Sequence, residues 1–212
     1  VARRRGSGPA GVRVGGETIP CDAAVIGVDD PRSQTVCTLI SADGLQRVVP
    51  ISSEYGLGRG VSVLGGWLSE SGQGFVDEPH DISGAATLPG RHNHQNAAAA
   101  FAACRAIGLE AGEIIEGIKS FNGLPHRLQT VGEVSGVRFV NDSKATNAQA
   151  AEQALLAYPG SYWIAGGRPK EEGIDALVDL LPSVRKAYLI GEATDAFAST
   201  IGDRVQHVKC RT

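Results

Sequence analysis

The sequence has no methionine: its 212 residues begin at Val1. Translation starts at Met, and the chain stops at Thr212 directly after a strand-like Val205-Gln206-His207-Val208 with no helix behind it, although a doubly wound sheet is normally covered on both faces. Sequence is therefore expected to be missing at both ends. Long apolar runs are also lacking. No segment approaches the roughly 18 residues of a membrane helix, and the N-terminus has no apolar signal-peptide core, so a cytoplasmic protein with no membrane partner is expected. Cys21, Cys37, Cys104 and Cys210 form no C-x-x-C pair, which leaves neither a zinc knuckle nor a disulfide framework and predicts reduced, packed thiols. There is no excess of positive charge. With 20 Lys and Arg against 23 Asp and Glu, net −3, a general attraction to nucleic acid is excluded, and Arg3-Arg4-Arg5 at a Gly-rich end reads as a solvated tail. No G-x-x-x-x-G-K-[ST] phosphate loop occurs.

What is present points to an α/β fold. At 42% hydrophobic content the chain can bury one or two cores. The organising stretch is Val137-Arg138-Phe139-Val140-Asn141-Asp142-Ser143-Lys144-Ala145-Thr146-Asn147, read as a buried strand, a polar turn and the start of a helix over Ala148 to Ala157. Further strands at Tyr162 to Ala165, Ala187 to Ile190 and Val205 to Val208 alternate with helices at Asp175 to Leu181 and Thr194 to Ile201. That alternation predicts a Rossmann-like parallel sheet. Upstream, residues 1 to 20 read as loop or weak hairpin. Ala23 to Val28 is a strand, Ser33 to Ser41 a helix, and Val48 to Ile51, Val61 to Leu64 and Gly74 to Val76 suggest an antiparallel patch at a sheet edge. Helices are expected over Ala97 to Ile107, closed by Gly108, and over Glu110 to Phe121. The breaker-rich Asn122-Gly123-Leu124-Pro125 is the natural domain boundary.

Ligands of open α/β sheets sit beyond the carboxyl ends of the strands. Asp142, Lys144 and Thr146 fall there, as do Gly166, Gly167, Lys170, Gly191 and Glu192; glycines admit close backbone approach and two lysines imply an anionic ligand. Asn93 and Asn96 share one face of a helix start, where free N–H groups suit an anion. Plain structural readings stand beside these. Asn93 serves as a cap, Thr146-x-x-Gln149 as a capping box, Asp142 as a turn closure and Lys170 as a solvated loop lysine. His92 and His94 point apart on a helix, so no metal site is expected from them.

Taken together, His126-Arg127, Asn141-Asp142-Ser143-Lys144-Ala145-Thr146-Asn147, Gly166-Gly167-x-x-Lys170 and Gly90-x-His92-Asn93-x-x-Asn96 resemble the Mur ligase family, in its D-glutamate-adding branch. The resemblance is strongest from Leu88 to Lys170. It implies the later part of a truncated central ATPase-type domain over residues 1–123 and an incomplete Rossmann-like carboxy-terminal domain over 124–212. It further implies ATP-dependent addition of D-glutamate to UDP-N-acetylmuramoyl-L-alanine through an acyl phosphate, in a monomer. Carried over by residue, Asn96 would contact adenine, Arg127 the ATP phosphates and Asp142 the ribose. Thr146 and Lys170 would bind D-glutamate, with Lys144 close by. Each role suits its chemistry: a planar fork for phosphate, a carboxylate for hydroxyls, a point charge for a carboxylate.

Departures from the family pattern qualify the expectation. Besides the phosphate loop, the sequence lacks a candidate for the family's carbamylated lysine and the closing segment with the serine and phenylalanine of the D-glutamate pocket. The Mg2+ ligands are thus expected elsewhere, no catalytic residue is assigned here, and the chain alone is expected to be inactive. Two other classes remain: a related carboxylate–amine ligase, such as another Mur enzyme or a folylpolyglutamate synthetase, and a noncatalytic Rossmann-like binding module.

Overall fold

The computed structural model describes residues 11–14, 17–20, 23–44, 46–72, 75–168 and 173–210. Arg3-Arg4-Arg5, Cys21, Gly74 and Lys170 lie outside them. The chain divides into two compact units, Val1–Phe121 and Asn122–Thr212.

In the first unit β1 (Gly11–Val14) and β2 (Glu17–Pro20) form an antiparallel hairpin. The apolar Ala23–Gly27 makes β3, after which Asp30 caps helix α1 (Pro31–Asp43) by accepting from the N–H groups of Arg32 and Ser33, both at 3.0 Å. Pro31 at the first helical turn and the left-handed Gly44 at its end are the usual start and stop chemistry. The chain then returns as β4 (Arg47–Ser52), parallel to β3. Next come β5 (Gly60–Leu64), β6 (Trp67–Gly72), β7 (Phe75–Val76) and β8 (His80–Asp81), giving a sheet ordered β3-β4-β5-β6-β7 with β8 also on β6. β5 pairs parallel with β4, whereas β6 runs antiparallel to β5.

The antiparallel patch expected from Val48 onward therefore begins only at β6. A helical crossover through α1 delivers β4 beside β3 in parallel, as such connections do. Val48, Val49 and Ile51 are buried accordingly, as in a strand covered on both faces. Gly60 permits the next step: with φ of 124° its missing Cβ would lie 2.1 Å from the Pro50 carbonyl oxygen.

Helices α2 (Arg91–Ala106) and α3 (Ala111–Lys119) cover the sheet. Ala97, Ala98, Phe101 and Ala102 recur at helical spacing and pack with Val61, Val63, Leu68, Ile114, Ile115 and Ile118 into one core. α2 begins six residues before the expected Ala97, with Gly90 at its N-cap, so Asn93 and Asn96 are helical residues.

The second unit opens with β9 (Gln129–Val134) and β10 (Val137–Asn141), an antiparallel pair. Here the structure corrects the sequence reading. Val137 and Phe139 are 49% and 50% exposed, and β10 belongs to a hairpin, not to the parallel sheet. The reason is local: Ser135 and Gly136, with φ of 51° and 76°, turn the chain so that β10 finds its partner immediately upstream. Beyond α4 (Ala148–Ala157) come β11 (Tyr162–Gly166), β12 (Lys186–Ile190), α5 (Thr194–Ile201) and β13 (His207–Lys209), with the sheet ordered β11-β12-β13 and parallel throughout. The expected helix over Asp175 to Leu181 is instead two 3-10 turns, Asp175–Leu177 and Leu181–Ser183. Pro182 in the second lacks the N–H that an α-helical ladder needs there. Leu155, Leu177, Leu181, Leu189 and Ile201 form this unit's core.

Among the described residues no helix is long and apolar enough to cross a membrane. Cys37, Cys104 and Cys210 are free thiols.

Candidate functional site

Two loops of the second unit are stitched together. The first, Leu124 to Leu128, precedes β9, and the Arg127 N–H donates to the Leu124 carbonyl at 3.2 Å. His126 and Leu128, on either side of Arg127, have left-handed φ of 65° and 45°. Non-glycine residues hold that conformation at a cost of about 1–3 kcal/mol each, so surrounding contacts must impose it. The second loop supplies them. Lys144 N–H donates to the His126 carbonyl at 3.1 Å, Leu128 N–H donates to Asp142 Oδ1 at 3.0 Å, and Asn141 Nδ2 stands 3.0 Å from His126 Nδ1.

This second loop is also folded on itself. Ser143 N–H donates to Asn141 Oδ1 at 3.1 Å, Ala145 N–H to the Asp142 carbonyl at 2.8 Å and Thr146 N–H to the Lys144 carbonyl at 2.9 Å. Helix α4 then starts from Asn147, whose Oδ1 accepts from Ala150 N–H at 2.8 Å. Asn147, not Thr146, is the N-cap, so the expected Thr146 capping box is replaced. Arg127, Lys144 and Thr146 are exposed while Asp142 is half-buried. Four of the expected site residues thus come together on one pair of bonded loops, at the end of a hairpin strand rather than of the parallel sheet. The arrangement presents two cations, a carboxylate and a hydroxyl in one region, a set able to hold an anionic, hydroxyl-bearing ligand.

At the carboxyl ends of β11 and β12 the backbones nearly touch. A Cβ on Gly166 would lie 1.8 Å from the Ile190 oxygen, and Gly167 N–H donates to that same oxygen at 3.1 Å. Glu192 reaches Arg168 at 3.7 Å in an exposed pair.

Asn96 lies in the first unit, exposed, with its Nδ2 3.4 Å from Asn93 Oδ1. Asn93 donates from Nδ2 to the Pro89 carbonyl at 2.8 Å and does not cap the helix. The turn carrying both is anchored through Gln95, whose Nε2 donates to Asp29 Oδ2 at 2.6 Å. Asp29, just beyond β3, also accepts from Ser52 Oγ at 2.5 Å, Ser53 N–H at 2.9 Å and Ser53 Oγ at 3.0 Å. Burial alone would raise its pKa, but these hydrogen bonds outweigh it and hold the carboxyl below its ordinary value. In the sequence Asp29 follows directly on the strand Ala23 to Val28, and that position is its one signal, since ligands gather at the ends of strands. Burial lowers the His94 pKa. Among the described residues no three His, Cys, Asp or Glu side chains are grouped to hold a metal.

No protein-family model matches the chain. Over 189 residues it is 52% identical to the UDP-N-acetylmuramoylalanine--D-glutamate ligase of Caulobacter sp. (strain K31), covering 89% of this chain and 40% of that protein. The ligase of the same name from Rhizobium meliloti is 47% identical over 184 residues, again 40% of its length. MurF from Acinetobacter baumannii superposes with a TM-score of 0.58 at 20% identity, over 87% of this chain and 42% of that one. A pseudomurein peptide ligase type C from Methanothermus fervidus gives 0.61 at 13% identity, over 89% and 45%. The fold is the α/β fold of these ligase structures. Within that class, at half identity over nine-tenths of its length, it is a homologue of the UDP-N-acetylmuramoylalanine--D-glutamate ligases. The chain spans about two-fifths of the length of those relatives.

Proposed function

We propose that this chain is the portion of an ATP-dependent D-glutamate ligase that holds part of the nucleotide and the incoming amino acid. The observation that carries the reading is the bonded loop pair bearing Arg127, Asp142, Lys144 and Thr146, in a chain half identical to D-glutamate ligases. On this reading residues 1–123 are the later part of the central ATP-binding domain and 124–212 belong to the carboxy-terminal domain. The protein is a cytoplasmic monomer acting on UDP-N-acetylmuramoyl-L-alanine.

The chemistry sets what the site must do. ATP phosphorylates the substrate carboxylate, the amine of D-glutamate attacks the acyl phosphate, and phosphate leaves from a tetrahedral intermediate. Negative charge therefore concentrates where cations and N–H groups are needed. Arg127 offers a planar fork to the phosphates, Asp142 accepts from ribose hydroxyls, and Asn96 contacts adenine. Thr146 and Lys170 bind the D-glutamate carboxylates, with Lys144 beside them. Mg2+ would neutralise phosphate charge when bound. The described residues include no cluster of three His, Cys, Asp or Glu to hold it.

The test uses the product of the complete reading frame that encodes this chain. Phosphate release should require ATP, UDP-N-acetylmuramoyl-L-alanine and D-glutamate, with L-glutamate and L-alanine failing to substitute. Lys170→Ala should raise KM for D-glutamate and Arg127→Ala should impair ATP use. Equal turnover with L-glutamate would shift the assignment to a folylpolyglutamate synthetase-like ligase, and absence of nucleotide binding would favour a binding module.

A further inference from the structure

The Asn141 carboxamide is engaged at both ends, and its orientation fixes that of a neighbour. Its Oδ1 accepts from Ser143 N–H at 3.1 Å, which leaves Nδ2 as the group 3.0 Å from His126 Nδ1. An amide N–H2 only donates, so His126 Nδ1 is the acceptor and the ring proton sits on Nε2. The His126 main chain is held as well: its N–H donates to Gln129 Oε1 at 3.0 Å and its carbonyl accepts from Lys144 N–H at 3.1 Å. Side chain, N–H and carbonyl of one residue are thus all held, and that residue has the left-handed φ that bends the chain into Arg127. A backbone conformation disfavoured for a non-glycine residue persists only where surrounding contacts impose it.

We propose that Asn141 and His126 are positioning residues for Arg127. Asn141 fixes the His126 ring, His126 fixes the turn, and the turn aims the guanidinium. Neither residue needs to touch the nucleotide for this. The inference rests on the reading of Arg127 as a phosphate contact, and the experiment separates the two.

ATP KM, D-glutamate KM and kcat are measured in the complete gene product for Asn141→Ala, His126→Ala, Arg127→Ala and the Asn141→Ala/Arg127→Ala double variant. Asn141→Asp is added as a second change: it keeps an acceptor for Ser143 N–H but puts a charged acceptor where the donor to His126 stood, which opposes the His126 tautomer with its proton on Nε2. Asn141→Ala and His126→Ala should each raise the KM for ATP about tenfold while D-glutamate KM stays within about twofold. Asn141→Asp should move ATP KM in the same direction. In the Arg127→Ala background Asn141→Ala should add less than about twofold, since the group it positions is gone. An Asn141 effect of undiminished size in that background, or an unchanged ATP KM in both Asn141 variants, overturns the positioning role and leaves the Arg127 reading standing. Wild-type ATP use by Arg127→Ala itself overturns the phosphate reading first, and the positioning role with it.

Discussion

Leu128 donates its backbone N–H to Asp142 Oδ1 at 3.0 Å, across fourteen residues of sequence. Leu128 is 6% exposed and sits at a left-handed φ of 45°, so this carboxylate both satisfies a buried donor and holds the turn that carries Arg127. On the proposed ribose-binding role, an acid that also secures the backbone beside it would make binding and loop geometry depend on one side chain.

The two duties separate by substitution. Asp142→Asn keeps an oxygen for Leu128 N–H while removing the charge; Asp142→Ala removes both and leaves a buried N–H unsatisfied, at about 1–3 kcal/mol. Denaturant midpoints should therefore fall clearly for Asp142→Ala and little for Asp142→Asn, although both variants lose ATP affinity. Matching midpoints for the two would show that the Leu128 bond carries no stability.

Asp29 yields a pH prediction. Burial works to raise its pKa, but hydrogen bonds from Ser52, Ser53 and Gln95 prevail and set it below the ordinary 3.8. A carboxyl depressed in the folded state contributes stability that is complete above the unfolded value and disappears as pH falls through the folded one. Asp30, Asp81 and Asp195 are depressed too, so the wild-type slope alone is ambiguous. The diagnostic quantity is the stability gap between wild type and Asp29→Asn in urea unfolding. It should be constant near neutrality and narrow below pH 3.8. A gap that stays the same down to pH 3, on the order of one unit below the reference carboxyl, would remove Asp29 from the account.

Gly166 and Gly160 make a matched pair. Both have positive φ, 152° and 75°, yet a Cβ at Gly166 would sit 1.8 Å from the Ile190 oxygen and one at Gly160 would meet nothing within 4 Å. Gly166→Ala should cost about 3 kcal/mol, at the top of the range for overpacking, by forcing β11 from β12. Gly160→Ala should cost about 1 kcal/mol from backbone strain alone. Similar losses in thermal unfolding would mean that the close approach of the two strand ends is not a constraint.

Local signals in the sequence were sufficient where structure is local. α4 and α5 begin and end at the expected residues because helix formers, caps and apolar spacing all lie within ten residues or so. β6 was overlooked although Gly65-Gly66 between Leu64 and Trp67 is a two-residue hairpin signal, and both glycines have positive φ. Strand direction was less accessible. The apolar run of β10 suits a buried parallel strand as well as a hairpin arm, and only the pairing with β9 decides. In the site, position beyond a strand singles out Asp142, Lys144 and Thr146, and Arg127 enters only through the family resemblance. Of the three ties between their loops, one joins two backbones and two use the side chains of Asp142, Asn141 and His126, and the pairing is announced by no residue type. Asp29 stayed hidden because its donors come from Ser52, Ser53 and Gln95, between 23 and 66 residues away.

Thr146 and Asn147 offer the cleanest division between folding and binding. Asn147 has extended backbone, φ −148° and ψ 168°, and its side chain accepts from Ala150 N–H, so it performs the capping that the sequence pattern credited to Thr146. Asn147→Ala should lower stability by about 0.5–2 kcal/mol, the usual cost of a lost cap. Thr146→Ala should, with D-glutamate as substrate, raise its KM at nearly constant ATP KM. The contrast depends on two neighbouring residues serving different ends, Asn147 the start of α4 and, on the proposed reading, Thr146 the incoming amino acid. A stability loss in Thr146→Ala equal to that of Asn147→Ala, with D-glutamate KM unaltered, would return Thr146 to a purely structural role.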